Sequence, residues 1–493
     1  MPSAESNPVP PVAGRPSFRA NDSAPSLDSV TTIRPDGSRP FLFPAATRGR
    51  LTTARRIVAL VLLVFYMSLP WIPVNGHPAV LLDLVERRFH LFGLTFAAQD
   101  MWLLFFVLTG LGFSLIFVTA LFGRIWCGWA CPQTVFLEHV FRPIERLIEG
   151  DAFARRQLDE APKSWRRFRI RALKHAAYVV VAAFFTHLYL AYFVSVPEVW
   201  HMVSNAPGEH WGVFVFMAAY TGLTYFIFAW FREQVCIVIC PYGRIQSALT
   251  DDHTLVIGYD QRRGEPRGRA GTPGAGDCVA CSRCVQVCPT GIDIRHGLQL
   301  ECVGCTACID ACDDVMRRTG RAPGLIRYDS QRGLAKERTR WIRPRTIVYF
   351  ILLLAGASVA GWAVSTIKPA NFGVTRMTGA PYIIDAVSVR NQFLVRIVNK
   401  RHEPRRFRVA VERAPEGLVR SGVAEPVEVP ALGEVVRPLI LQQERARYAG
   451  VFFVLVTVAD ETGSFSLRRE VEFLGPEARL LREEKEEARR AHR

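Results

Sequence analysis

Five long apolar runs alternate with polar stretches along the chain: Ile57 to Val74, Met101 to Phe122, Ala176 to Val196, Trp211 to Trp230 and Thr346 to Thr366. A bilayer core about 30 Å thick is crossed by about 20 helical residues. Each run therefore predicts a transmembrane helix. Pro70, Trp71 and Pro73 mark the far end of the first, where aromatic residues favour the interface. Residues 75–100 read as a polar loop, 142–174 as a basic polar segment, and 197–210 as a short loop without Lys or Arg. Beyond residue 370 the pattern changes. Segments 393–398, 406–411, 435–441, 451–458 and 464–473 carry apolar and β-branched residues with partial alternation, separated by Gly, Pro and Asn. Short strands between such turns predict an immunoglobulin-like β-sandwich without a disulfide.

Charge sets the expected orientation. The formal net charge is +16, but Arg and Lys gather beside the apolar runs, which argues for a membrane partner and against nucleic acid. The basic stretches 48–56, 142–174 and 232–345 fall on one side of the membrane, and the sparsely basic segments 75–100 and 197–210 on the other. The N-terminus is expected in the cytoplasm and the part after residue 370 in the periplasm. A long translocated domain escapes the charge rule, so its many arginines do not oppose this. The arginine-rich stretches read as interface anchors and topology signals.

All twelve cysteines fall in four short motifs. Two are runs of the bacterial ferredoxin type, Cys278-x-x-Cys281-x-x-Cys284-x-x-x-Cys288-Pro289 and Cys302-x-x-Cys305-x-x-Cys308-x-x-x-Cys312. In that spacing three cysteines wrap one cluster and the fourth reaches the other. The expectation is one 4Fe-4S cluster on Cys278, Cys281, Cys284 and Cys312, and a second on Cys302, Cys305, Cys308 and Cys288. Paired C-x-x-C can also hold zinc, but zinc needs four sulfurs in two pairs, not eight in two runs. The other two motifs are Cys127-x-x-x-Cys131-Pro132 and Cys236-x-x-x-Cys240-Pro241, each just beyond an apolar run. If each is one helical turn, its two thiols share a face, and all four can meet near the membrane surface. Soft thiolates suit Cu(I), a cluster or a dithiol–disulfide relay, and an electropositive membrane edge favours the thiolate. The bland reading is four small buried residues where helices end close together.

The histidines carry less. His187 lies within the third run, where an ionisable residue is a functional candidate. His77, His90, His201 and His210 fall on the expected outer side and can meet an incoming metal ion, although a lone loop histidine is ordinarily just solvated.

The expected fold class is a membrane α-helical protein of about five transmembrane helices, with a cytoplasmic bacterial-ferredoxin-like insertion carrying two 4Fe-4S clusters and a C-terminal immunoglobulin-like β-sandwich. The expected parts are a flexible cytoplasmic tail (1–50), a four-helix membrane domain (51–250), the ferredoxin-like domain (251–340), the fifth helix (341–369), the sandwich (370–476) and a charged tail (477–493). Residues 261–276, rich in Gly, Arg and Pro, read as a mobile linker.

The chain resembles the cytochrome c oxidase accessory protein family of the CcoG/FixG type, also called Rdx. The resemblance rests on Pro70-Trp71, Asn75-Gly76, Phe92-Gly93, Gln99-Asp100, residues 123–134 around Cys127 and Cys131, Gln234-Val235-Cys236, residues 240–244 and both ferredoxin runs. It spans roughly residues 40–475. The paired C-x-x-x-C-P motifs are also similar to membrane polyferredoxins of nitrate and nitrous-oxide respiration, but the fifth apolar run and C-terminal β-region favour the oxidase accessory family. The resemblance implies reduction of Cu(II) to Cu(I) in support of cbb-type oxidase assembly. Copper chaperones or exporters, oxidase assembly factors and an unidentified electron donor are the implied partners, with a homodimer left open. Two rivals keep the same clusters: a quinol-linked conduit to a periplasmic reductase, and a non-enzymatic redox-sensing assembly scaffold.

Overall fold

The computed structural model describes residues 41–477 and 479, apart from 98–100, 300, 367, 424–425 and 462–464. Most of the expected N-terminal tail and nearly all of the expected C-terminal tail lie outside the described residues. The chain divides into two compact units, Met1–Ile72 with Phe106–Ser358, and Pro73–Phe105 with Val359–Arg493.

Among the described residues of both units, five helices are long and apolar enough to cross a membrane: Arg50–Trp71, Trp102–Phe122, Trp165–Val194, Trp211–Phe231 and Pro344–Ser365. They leave large apolar side chains such as Leu60, Phe105 and Val180 exposed at 62%, 64% and 67%. Water would penalise such a surface and lipid does not. The third helix begins eleven residues before the expected Ala176. The Ser164 side chain caps it by accepting the Arg167 N–H at 3.2 Å, so the basic residues before Ala176 are its first turns. The rest of the expected basic segment is also helical, as Arg142–Glu149 and Ala152–Glu160, and the expected loop 197–210 holds the helix Val196–Ser204.

In the first unit, the antiparallel pair Val256–Tyr259 and Ile326–Asp329 brackets the two cysteine runs. The expected mobile linker is instead tied down. Gly268 N–H donates to the Cys278 carbonyl at 3.2 Å, Gly276 N–H to Pro266 at 2.8 Å and Asp277 N–H to Arg263 at 2.8 Å. The first long helix docks on the second run. Gly49 leaves room for the Asp310 carboxylate, which accepts from the Thr52 N–H at 2.6 Å and the Thr52 hydroxyl at 2.7 Å. A carboxylate 258 residues away in sequence thus caps a helix whose own N-cap is glycine.

The second unit contains a β-sandwich. One sheet has the order Leu418–Ser421, Glu434–Glu444, Ser388–Asn399, Ala370–Arg376, with Ile383–Ile384 also on Ser388–Asn399. The other has the order Val427–Val429, Arg405–Glu412, Phe452–Asp460, Ser466–Phe473. Alternate residues Val389, Phe393, Val395 and Ile397 face a core shared with Phe407, Leu441, Val456 and Phe473. The expected polar loop 75–100 is β-structure. Pro73–Val74 pairs with His77–Pro78, and Val80–Asp83, Arg88–Leu91 and Leu94–Ala97 form a meander. Asn75-Gly76 and Phe92-Gly93 make its two-residue turns with all four φ values positive, as the right-handed twist of a hairpin requires.

Candidate iron–sulfur and thiol site

The two ferredoxin runs adopt the same local geometry. Ala280 and Gly304, each just before the second cysteine of its run, have φ of +53° and +68°; Ser282 and Thr306, just after it, have +54° and +64°. Left-handed backbone costs a residue with a Cβ about 1 kcal/mol or more, so its repetition points to a constrained site. The turns aim N–H groups at sulfur: Gly304 N–H at Cys302, and Thr290 and Ile292 N–H at Cys288.

The electrostatic neighbours of the last cysteine in each run include sulfurs of the other run. Burial pushes the Cys312 thiol up to about 12, and the next contributions come from Cys284, Cys281, Asp313 and Cys278. Burial also raises Cys308 strongly, followed by Cys305, Cys302 and Cys288. Seven of the eight sulfur-bearing residues are buried or half-buried and Cys281 is exposed, and backbone N–H donors reach Cys302 and Cys288. This donor set fits two 4Fe-4S groups, which carry thiolate ligation and N–H···S bonds.

The four remaining cysteines are electrostatic neighbours, though not as two helical turns, and no three of them among the described residues already stand close enough to hold one ion. Cys127 lies in the helix Ile125–Trp129, whereas Cys131 is extended, with ψ 126°, ahead of the helix Pro132–Phe136. Cys236 lies in a single π-helical turn, Val235–Ile239, and Cys240 is extended, with ψ 110°, ahead of Pro241–Leu249. Proline disfavours the α conformation in the residue before it, and at Pro132 and Pro241 the second cysteine of each motif is extended and the helix breaks there. The sulfurs nevertheless feel one another. Burial raises Cys236, followed by Cys131, Cys127 and Cys240. Burial and Cys131 push Cys127 up to about 11 against the opposing pull of Arg124, and burial raises Cys131. The expected thiolate-favouring edge is thus reversed, because desolvation and crowding of like charges outweigh the nearby guanidinium.

This thiol group abuts the second ferredoxin run. Cys127, Cys236, Cys305 and Cys308 share one apolar cluster with Val287 and Val303. A Cβ on Gly128 would lie 2.5 Å from the Gly304 carbonyl oxygen, so the two cysteine loops touch backbone to backbone. Gly128→Ala is expected to push them apart at a cost of about 1–3 kcal/mol. The check is thermal melting alongside the rate of electron transfer to the thiol site; unchanged values for both would show that the contact is dispensable.

Several arginines do more than mark topology. Arg55 Nη1 donates to the Cys305 carbonyl at 2.8 Å, and Arg124 Nη2 bonds the Gly243 carbonyl, tying the two C-x-x-x-C motifs together. Arg142, Arg155 and Arg232 are almost wholly buried. Arg142 pairs with Glu138 and, at 3.4 Å, with both Glu233 and the carbonyl of Pro289, which follows Cys288. Glu145 receives Arg155 at 2.9 Å and Arg232 at 3.1 and 3.2 Å. Burial alone would raise the Glu145 carboxyl, but Arg232 and Arg155 overrule it and hold it below the usual range. Arg232 has φ +50°, so this paired side chain also pins the reversal that leads into Cys236. The sequence signal was faint: Arg232-Glu233 and Glu138 with Arg142 are charges close to cysteine motifs.

The histidines separate. His187 Nδ1 bonds the Ala183 carbonyl at 2.7 Å within its own helix, as a packing residue does. The His201 and His210 rings are 6.4 Å apart. In the second unit His77 and His90 stack at 4.0 Å, and His402, unnoticed in the sequence, lies 6.4 Å from His77.

Family comparisons agree with this arrangement. A family model described as a 4Fe-4S dicluster domain matches residues 231–331, a 4Fe-4S binding domain matches 101–150, and the immunoglobulin-like fold at the C-terminus of FixG matches 360–476. Protein RdxA of Cereibacter sphaeroides is 37% identical, covering 80% of this chain and 88% of its own. Nitrogen fixation protein FixG of Rhizobium meliloti is 33% identical, covering 78% and 81%. Protein RdxB of C. sphaeroides is 34% identical, covering 76% and 82%. With its five apolar helices, paired ferredoxin runs and C-terminal sandwich, the chain belongs to the FixG/Rdx family of membrane iron–sulfur proteins.

Proposed function

We propose that this protein is a cupric reductase whose copper site is the thiol group Cys127, Cys131, Cys236 and Cys240. The observation that carries the reading is the backbone contact between Gly128 and Gly304, beside the shared packing of Cys127 and Cys236 with Cys305 and Cys308. Cys278, Cys281, Cys284 and Cys312 would hold one 4Fe-4S group, and Cys302, Cys305, Cys308 and Cys288 the other. When bound, these groups supply single electrons, and the net reaction is Cu(II) + e⁻ → Cu(I). The chain's own part is to hold copper, exclude water and fix the spacing. Buried, crowded thiols keep their protons while empty; a soft cation displaces those protons and gains sulfur ligands that favour Cu(I). Arg124 lowers the cost of thiolate formation at Cys127. We place the clusters and N-terminus in the cytoplasm and the sandwich in the periplasm, on the charge pattern. Cu(I) would pass to copper chaperones or exporters serving a cbb-type oxidase.

A second reading replaces copper with quinone. Its support is an aromatic cavity of about 210 Å³ lined by Tyr66, Gln133, Phe136, Phe185, Thr186 and Tyr220, beside Pro132 of the first thiol motif. One experiment separates the two. The detergent-purified protein is reduced anaerobically with dithionite, freed of excess reductant, and given Cu(II) with a Cu(I) chelator. Cluster absorbance and Cu(I) are followed together. Wild type is expected to reoxidise as Cu(I) appears, and Cys127→Ser/Cys131→Ser to keep reduced clusters. Reduced clusters that ignore Cu(II) yet discharge to a quinone analogue would overturn the copper reading.

A further inference from the structure

We propose that His77, His90 and His402 form a second metal site, in the meander-and-sandwich unit, for a first-row divalent cation, Cu(II) by preference. The site is separate from the cysteine group and does not depend on the proposed reduction. Imidazoles from distant stretches lie near one another, with His90 and His402 each beside His77. His77 lies on the short hairpin, His90 on the middle strand of the meander, and His402 in the connection between the sandwich strands Ser388–Asn399 and Arg405–Glu412. His90 is buried, whereas His77 and His402 are half-buried, so an ion can reach them from solvent.

Hydrogen bonds on two of the rings argue for ligation. His402 Nε2 donates to the Gly93 carbonyl at 3.2 Å, which leaves Nδ1 with its lone pair. His90 Nδ1 is engaged by the Thr95 hydroxyl at 2.9 Å, across the strand pair that joins residues 90 and 95, which leaves Nε2. Anchoring one ring nitrogen on a carbonyl or hydroxyl, so that the other is presented, is how proteins orient metal-binding histidine. Glu86 and Asp83 add negative charge near His77; Arg88 opposes it but is paired with Glu86 at 3.1 Å.

One ring separation is at the upper limit of what a shared ion needs and the other is below its lower limit, so ligation requires the rings to move. With metal–nitrogen bonds of about 2.0–2.1 Å, the centroids of two rings on one ion lie roughly 4.5–6.4 Å apart. The observed separations are 4.0 Å for His77–His90 and 6.4 Å for His77–His402. No three His, Cys, Asp or Glu side chains among the described residues already converge on one point. The His77 and His90 planes differ by only 10°, so closure takes rotation of the more exposed His77 ring. Stacking alone accounts for that pair, but not for a third imidazole or for the anchored nitrogens. Imidazole selects the later first-row metals, and among divalent ions Cu(II) binds such nitrogen sites most tightly.

The test uses full-length oxidised protein in detergent, whose oxidised 4Fe-4S groups leave the Cu(II) electron paramagnetic resonance signal clear. One equivalent of Cu(II) is expected to give nitrogen hyperfine structure from two or three imidazoles. His402→Gln is expected to weaken binding at least 10-fold, and His77→Gln/His90→Gln/His402→Gln to abolish the imidazole pattern. Zn(II), which cannot be reduced, should raise the melting temperature of wild type more than of His402→Gln. Wild-type Cu(II) without imidazole coupling, or an identical spectrum in the triple variant, would overturn the site. Binding without reduction would leave it standing while removing the reductase reading.

Discussion

Cys288→Ser is expected to remove the cluster assigned to the other run, not the one assigned to its own. Cys288 sits with Cys305 and Cys308 in the folded chain, and burial and the Cys305 sulfur raise its thiol. Cys312→Ser should have the mirror effect, because Cys312 sits with Cys278, Cys281 and Cys284. Iron and acid-labile sulfide should each fall from about eight to about four per chain in either variant. The two variants should differ at the thiol site. Losing the group beside Cys127 and Cys236 should reduce electron delivery there to background, whereas losing the other group should leave dithionite-fed delivery from the nearer group in place. Iron analysis with cluster spectroscopy on each variant and on Cys305→Ser checks this. If Cys288→Ser and Cys305→Ser remove different clusters, the crossed assignment fails.

The second large effect comes from charge. Glu145→Ala leaves Arg155 and Arg232 buried without the carboxylate both contact. Removing one partner of a buried ion pair costs about 3–5 kcal/mol, since the remaining charge keeps its desolvation penalty. The variant is expected to melt much earlier in detergent, or to accumulate poorly. Glu145→Gln keeps the shape and part of the hydrogen bonding, and should fall between. The pH dependence has a defined sign. The Glu145 carboxyl is held below its ordinary 4.5 in the folded chain, so its contribution is complete above that pH and is lost as pH falls through the lower folded value. The acid decline of wild type below about pH 4.5 should be shallower in Glu145→Gln. Melting of Glu145→Ala within about 1 °C of wild type would show that the network does not hold the site.

The sequence reached its answers where local pattern carries physics. Apolar runs of sufficient length specify bilayer-crossing helices because the backbone must satisfy itself in lipid. Two C-x-x-C-x-x-C-x-x-x-C runs specify cluster ligands because the spacing is the ligand geometry. Alternating strands specify the sandwich because side chains point to opposite faces. Asn75-Gly76 was also a legible hairpin signal, and the polarity of its surroundings masked it.

What remained hidden needed long-range contact. Polarity suggested that Arg142, Arg155 and Arg232 stood at the membrane surface, but only the fold brings Glu138, Glu145 and Glu233 close enough to bury them. Motif spacing suggested a continuous helix through each C-x-x-x-C; Pro132 and Pro241 break it, and only packing against Val303 and Cys305 brings Cys127 and Cys236 beside the second run. The histidines make the same point most simply. His77 and His90 were two lone loop residues and His402 drew no notice, until strand pairing and sandwich closure brought the rings of His90 and His402, 312 residues apart, each beside His77. The sequence by itself determined the five long apolar helices, the C-terminal sandwich and the two cysteine runs, because each follows from residues near in the chain. Tertiary structure decided which charges are buried, which cysteine loops pack together and which imidazoles are neighbours, because those depend on the chain returning to itself.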